Sequence, residues 1–368
     1  MPFHYQLTRV AIVATSLLFV CTCATSPQAS TPSVTPSLTA LSQHAVLERA
    51  IAPSLYEIVF SPAAQSLFVA SAGDAVRDGQ SGSIYRLDPQ TLEIKQKIDL
   101  PLKPFALAAD ERSHTLYVGH TLDGAVSAID MLTGAVKSTL YHGLQEENGK
   151  PVHTRQVLWD ADAEKLYVTG ITDGGLLWVI DAKTFTTEQL LRHTNAPTTG
   201  MALDAANQRL YVSGTAAYAA FDTRSWQALG VQRIAEKLDP TDARRRFLVN
   251  VALDVKGGRL FANQLNNSEG TLVFDLTTGE LLHTIQTGET PVGIRFNVAR
   301  NEVVVASLGG GFVSVIDATT YSIKHRFEVP GANSLWLTPD GQTLYVTAKH
   351  ASLEQPLDTV VRIDLQTL

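Results

Sequence analysis

Cysteine is almost missing from this chain of 368 residues: Cys21 and Cys23 are its only two. The remaining body therefore has no disulfide staple and no cysteine-ligated metal. Long apolar runs are missing too, since Val10–Val20 falls far short of the ~20 residues a helical membrane span needs. Cationic excess is absent, with 29 Lys and Arg against 36 Asp and Glu for a net charge of −7. That balance argues against a surface that coats nucleic acid, while local basic patches stay open. No His-x-x-x-His on a helix, Gly-x-Ser-x-Gly elbow or phosphate-binding glycine loop occurs. Gly309-Gly310-Gly311 sits between strands, with no helix N-terminus behind it to cradle a phosphate. No catalytic residue and no cofactor is assigned.

What the chain does have is a repeat. Leu67-Phe68-Val69, Leu116-Tyr117-Val118, Leu166-Tyr167-Val168, Leu210-Tyr211-Val212, Leu260-Phe261-Ala262, Val303-Val304-Val305 and Leu344-Tyr345-Val346 are seven versions of one tripeptide. Seven residues before each centre stands a small polar residue: Ser61, Asp110, Asp160, Asp204, Asp254, Asn297 and Thr338. A further strand-like run in each copy ends in Asp88, Asp130, Asp181, Asp222, Asp275, Asp317 or Asp364. A period of roughly 40–50 residues marks propeller blades or similar arrays. Short runs rich in β-branched and aromatic residues between Asp, Asn, Gly and Pro clusters read as antiparallel strands. Because they recur in every copy, the aspartates read as turn formers.

The expected fold is all-β, a seven-bladed β-propeller. After Asp364 the seventh copy lacks a fourth strand, and Ala45–Ala52 precedes the first copy as an unpaired run. The N-terminal strand should therefore close the last blade and remove the exposed sheet edges. A monomer is expected. Residues 1–24 have the Arg9, apolar and small-residue pattern of a secretory signal peptide, so a periplasmic location is expected. Residues 25–44 form a Ser/Thr/Pro-rich linker, and 45–368 the propeller. Two processing routes are open: cleavage after Ala24, or a lipid on Cys23, the one route to a membrane. Without the signal segment the net charge becomes −8, since Arg9 is its one charged residue.

Tyr167-Val168-Thr169-Gly170 and Tyr345-Val346-Thr347-Ala348 resemble the strand of the YVTN group of bacterial propellers. Ser83–Pro89, Leu102–Phe105, Phe296–Glu302 and Val313–Ala318 are similar to the periplasmic YncE-type members of that group. The resemblance runs from about Tyr56 to Leu368. It implies seven blades, export, no established reaction and an association with single-stranded DNA.

In such a ring the first strand of each blade lines the channel. The residues at its mouth are Tyr56-Glu57, Phe105-Ala106, Arg155-Gln156, Thr199-Gly200, Val249-Asn250, Val292-Gly293 and Asn333-Ser334. Two positions deeper, Val59, Ala108, Leu158, Ala202, Ala252 and Trp336 are apolar, whereas the sixth copy has Arg295. A buried charge is costly unless paired, so Arg295 either pairs with Glu57, caps carbonyls or meets a ligand. Tyr56, Glu57, Phe105, Arg155, Asn250, Arg295, Asn333 and Trp336 are the ligand-binding candidates. Insertions at Gly143–Thr154, Ala235–Arg246, Gly73–Gly82 and His350–Asp358 extend loops on the same face. Arg155, Arg244, Arg245, Arg246 and Lys349 are the candidates for nucleic acid, with Phe105 or Trp336 for base stacking. Acidic residues share those loops, so a solvated face is the plainer reading. The partner would be single-stranded DNA or another periplasmic macromolecule. An alternative, a metal-assisted lyase or lactonase, would use His120, His153 and Glu57; the plainer expectation is that such histidines are solitary and face solvent.

Overall fold

The computed structural model describes residues 46–74, 79, 81–172, 174–192, 198–215, 217–233, 247–265, 270–350, 356–366 and 368. They form seven four-stranded antiparallel sheets arranged as a propeller. In the fourth blade the strands are Met201–Asp204, Arg209–Gly214, Ala217–Asp222 and Ala228–Arg233, in that order from inside to outside. The seventh blade breaks the rule as expected. Ala332–Leu337, Thr343–Ala348 and Asp358–Asp364 are completed by Val46–Ala52, with Val46 opposite Ile363 and Ala50 opposite Thr359.

The repeated tripeptide lies in the second strand of each blade, where Leu67, Phe68 and Val69 are fully buried. Neighbouring sheets pack through these side chains, because one sheet cannot cover both of its own faces. Seven apolar clusters result, each straddling one interface between blades. The cluster joining the last blade to the first contains Ile51, Ala52, Tyr345 and Val360 with Leu55, Ile58 and Leu67. Ring closure is therefore apolar as well as hydrogen-bonded.

Turn chemistry follows the aspartates. Asp88 accepts from the amides of Gln90 and Thr91 at 2.8 and 2.9 Å, and Asp275 from Thr277 and Thr278 at 2.8 and 2.7 Å. These amide bonds hold the Asp275 carboxyl below its usual range. Four residues after the aspartate the backbone turns left-handed, at Leu92, Phe185, Trp226 and Tyr321 among others. A non-glycine residue there costs about 1–2 kcal/mol. Burial offsets the cost: Phe185 stacks on Tyr117 of the preceding blade at 6.3 Å, and Trp226 meets Tyr167 edge-on at 5.2 Å. At the equivalent position Gly279 has no such plug, and a groove lined by Tyr211, Tyr218, Gln232 and Leu276 remains beside it.

In three blades the residue two after the tripeptide centre latches one sheet to the next. Thr347 Oγ1 accepts from the Ser334 amide at 3.1 Å and donates to the Tyr56 carbonyl of the next blade at 2.8 Å. Thr169 does the same between Gln156 and Thr199, at 3.1 and 2.7 Å. Asn263 Nδ2 donates to the Gly293 carbonyl at 3.0 Å. The polar third position of the Tyr-Val-Thr motif thus joins inner strands across interfaces. An unsatisfied buried group at such a position costs about 1–3 kcal/mol.

Candidate functional site

The channel mouth is built by bulges. The pairing of first and second strands slips between Leu55 and Ile58, Thr154 and Val157, Leu248 and Asn250, Pro291 and Gly293, and Ala332 and Leu335. Tyr56-Glu57, Arg155-Gln156, Val249, Val292 and Asn333-Ser334 fall within these slips. A bulge takes residues out of the ladder and re-aims their side chains. All of these residues but Val249 line a neck on the channel axis. A cavity of ≈ 40 Å³ lies in it, lined by Tyr56, Glu57, Phe105, Arg155, Asn250, Arg295 and Asn333 among others. Seven of the eight ligand candidates therefore meet in one place. Trp336 lies deeper and faces a second chamber of ≈ 350 Å³.

Three ionisable groups dominate the neck. Glu57 Oε1 lies 3.9 Å from Arg155, and Glu57 Oε2 accepts from the Leu107 amide at 2.9 Å. Arg295 donates to the Ile294 carbonyl at 2.9 Å and lies over the Trp336 ring at 5.4 Å. Burial pushes the Glu57 carboxyl up, against the pull of Arg155, and pushes both guanidiniums down. Each group is harder to charge here than in water. Two guanidiniums share one carboxylate, which leaves one positive charge in excess. Other neck side chains satisfy the free edges of inner strands: Gln156 Oε1 accepts from the Met201 amide at 2.5 Å and Asn250 Nδ2 donates to the Val292 carbonyl at 2.7 Å.

On the loop side stands a layered stack. Lys349 Nζ is 3.7 Å from the Tyr56 centroid, Tyr56 is 4.3 Å from Phe105, and Arg155 is 4.5 Å from Phe105. Tyr56 and Arg155 thus both pack on Phe105. Arg295 likewise packs on Trp336. Lys349 also lies 3.7 Å from Asp358. Arg155 and Lys349 come together at the mouth, while Arg244, Arg245 and Arg246 lie outside the described residues.

His120 does not face solvent. It is 1% exposed, with Nε2 2.8 Å from Ser127 Oγ and Nδ1 3.3 Å from the Lys103 carbonyl. The reason is a turn of only one 3-10 segment, Thr121–Asp123, which leaves the ring inside the blade. His153 is half-buried in its own strand. Among the described residues no three His, Cys, Asp or Glu side chains are grouped to hold a metal, so the His120, His153 and Glu57 alternative lacks its geometry.

Burial lowers the His120 pKa to about 4. Its neutral form is the one that fits the fold, so its contribution is complete above pH 6.5 and falls as the pH drops towards 4. At about 1.4 kcal/mol per pH unit the loss reaches roughly 3 kcal/mol. Urea unfolding followed from pH 7.5 to 4.5 should show this slope, and His120→Gln should flatten much of it. An unchanged slope in the variant would remove His120 as the cause.

No family model matches the chain. It is 34% identical over 341 residues to the uncharacterized protein YncE of Salmonella typhimurium, covering 90% of this chain and 94% of that protein. The uncharacterized protein YncE of Escherichia coli K12 is 32% identical over 328 residues, with coverage of 87% and 91%.

Proposed function

The chain belongs to the YncE family, and we propose that this member is an exported, non-enzymatic scaffold that binds its ligand at the neck of the propeller channel. One observation carries the reading. The inner strands of three blades deliver Glu57 and Arg155, from bulges, and Arg295, from a regular ladder position, to one small cavity, although charging each of them there is unfavourable. Perturbed charged groups converging in a cavity are a mark of function. The Arg9 and Val10–Val20 pattern supports export.

Single-stranded DNA is the finer version of this reading. Arg155 and Lys349 would meet phosphates, together with Arg244, Arg245 and Arg246. Log affinity should then fall with log salt by ~0.7 per phosphate contact. Replacing the three consecutive arginines with glutamate should weaken an oligonucleotide complex, and no change would sink the DNA version. The wider reading is tested by hydrogen exchange of the purified protein with oligonucleotide, peptide and cell-wall fragment panels. Protection is expected in segments 55–58, 154–157, 291–295 and 332–335. Protection confined to the outer strands or to the opposite face would overturn it.

A further inference from the structure

Arg295, Glu57 and Gln156 line both the neck cavity and the ≈ 350 Å³ chamber beneath it, so the two spaces share this polar wall. Every other residue around the chamber is Ala, Val, Leu, Met, Phe or Trp, including Leu107, Leu158, Met201, Leu253 and Trp336. Leu158, Trp159, Leu203, Leu253, Phe296 and Trp336 are only half-buried, so this apolar surface faces the open channel rather than a sealed core. A mostly apolar pocket with a few convergent polar groups at one end is the form of a small-molecule site.

Resting on the reading of the neck as a binding site, we propose that the ligand is a monocarboxylate with an apolar body, its carboxylate on Arg295 and its body in the chamber. The charge count selects a single negative charge, because Arg155 and Arg295 are opposed only by Glu57 within the neck. The donors point the same way: Arg295 makes one hydrogen bond, to its own neighbour's carbonyl, and its other N–H groups have no partner among the described residues. Size sets the rest. The neck, at ≈ 40 Å³, takes a group of a few atoms. An apolar cavity of about 150 Å³ holds benzene, so the chamber takes a body roughly twice as large. Trp336, already under the guanidinium, orients Arg295 from below.

The test is calorimetric titration of the purified protein with 4-phenylbutyrate, 4-phenylbutanol, acetate and 2-phenylethyl phosphate. The carboxylate should bind one to one and at least about tenfold tighter than the alcohol, the margin expected of a charge-assisted hydrogen bond. Acetate, which has no body, should not saturate, and the phosphate should bind more weakly than the carboxylate. Arg295→Gln should bring the acid down to the level of the alcohol. Ala252→Phe, which fills the chamber and leaves the charges in place, should abolish both, and it carries the test if the arginine variant fails to fold. Equal binding of acid and alcohol, no binding of either, equal binding of the phosphate, or an acid preference that survives Arg295→Gln would each overturn the proposal. If other ligands still protect the mouth from exchange, the neck remains a site and only its ligand class is wrong; if none does, both readings fail.

Discussion

Removing Val46–Ala52 should lower the melting temperature by roughly 10 °C and make the protein self-associate. Three separate losses add together. Asp358–Asp364 becomes an open edge, since its outer partner is gone. The apolar cluster between the last and first blades loses Ile51 and Ala52, which are 6% and 1% exposed. The covalent link between those blades also disappears, because this strand runs directly into Leu55–Ser61, the first strand of blade one. Polar ties go with it: Glu48 accepts from Thr359 at 2.7 Å, and Arg49 donates to the Thr91 carbonyl of blade one at 3.1 Å. Deleting Thr25–Ser42, whose composition cannot build a core, should leave the melting temperature almost unchanged. Calorimetry and light scattering on the two deletions make the comparison. Similar, small effects from both would show that the ring is not held by this strand.

The neck should give the second large effect. Glu57→Gln leaves Arg155 and Arg295 buried with no counter-charge, and breaking a buried pair costs roughly 3–5 kcal/mol. The exposure that remains, 18% for the Arg155 side chain and 16% for Glu57, puts the expected loss at about 3 kcal/mol, the low end of that range. Replacing the triad together, as Glu57→Gln, Arg155→Gln and Arg295→Leu, should be neutral or stabilising, because burial is a cost to all three groups. Urea denaturation of the single and triple variants reads the difference. A structural role would make the triple variant the least stable of the set. A triple variant that is stable and has lost its ligand is what a binding role demands, since the fold keeps apolar side chains at Arg295's register in the other blades.

How much of this was legible in the residues varies with the physics of each feature. The seven tripeptides and their turn aspartates could be read because each blade meets the same packing problem, and Leu-Tyr-Val at one offset answers it each time. The closing strand was legible because a strand count that falls short by one leaves an edge, and Ala45–Ala52 was the run available. Arg295 stood out against six apolar counterparts. The bulges were not legible, since a slipped pairing depends on how the inner strand meets the second strand and carries no fixed residue type. For that reason the meeting of Glu57 with Arg155 across two blades was found only in the structure. The contacts of Tyr56 and Arg155 with Phe105, and of Arg295 with Trp336, escaped for a related reason: ring partners come from neighbouring blades. His120 was misread because the depth of a residue at a strand end is set by the length of the turn that follows. The latch at Thr169 and Thr347 had a signal in the third position of the motif, but its purpose needed the neighbouring blade.

The split blade also decides how the ring yields to load. Val46 sits opposite Ile363 and Ala50 opposite Thr359, so the two ends of the propeller leave its last sheet side by side. Tension applied between them does not strain that sheet's ladder as a whole. It falls on the outermost pair, then on the next, as when a zip is drawn open. A ladder sheared lengthwise shares the load among all its rungs, whereas one peeled from its end carries it a rung at a time. The join that makes the ring hard to melt is thus the place where a small directed force opens it.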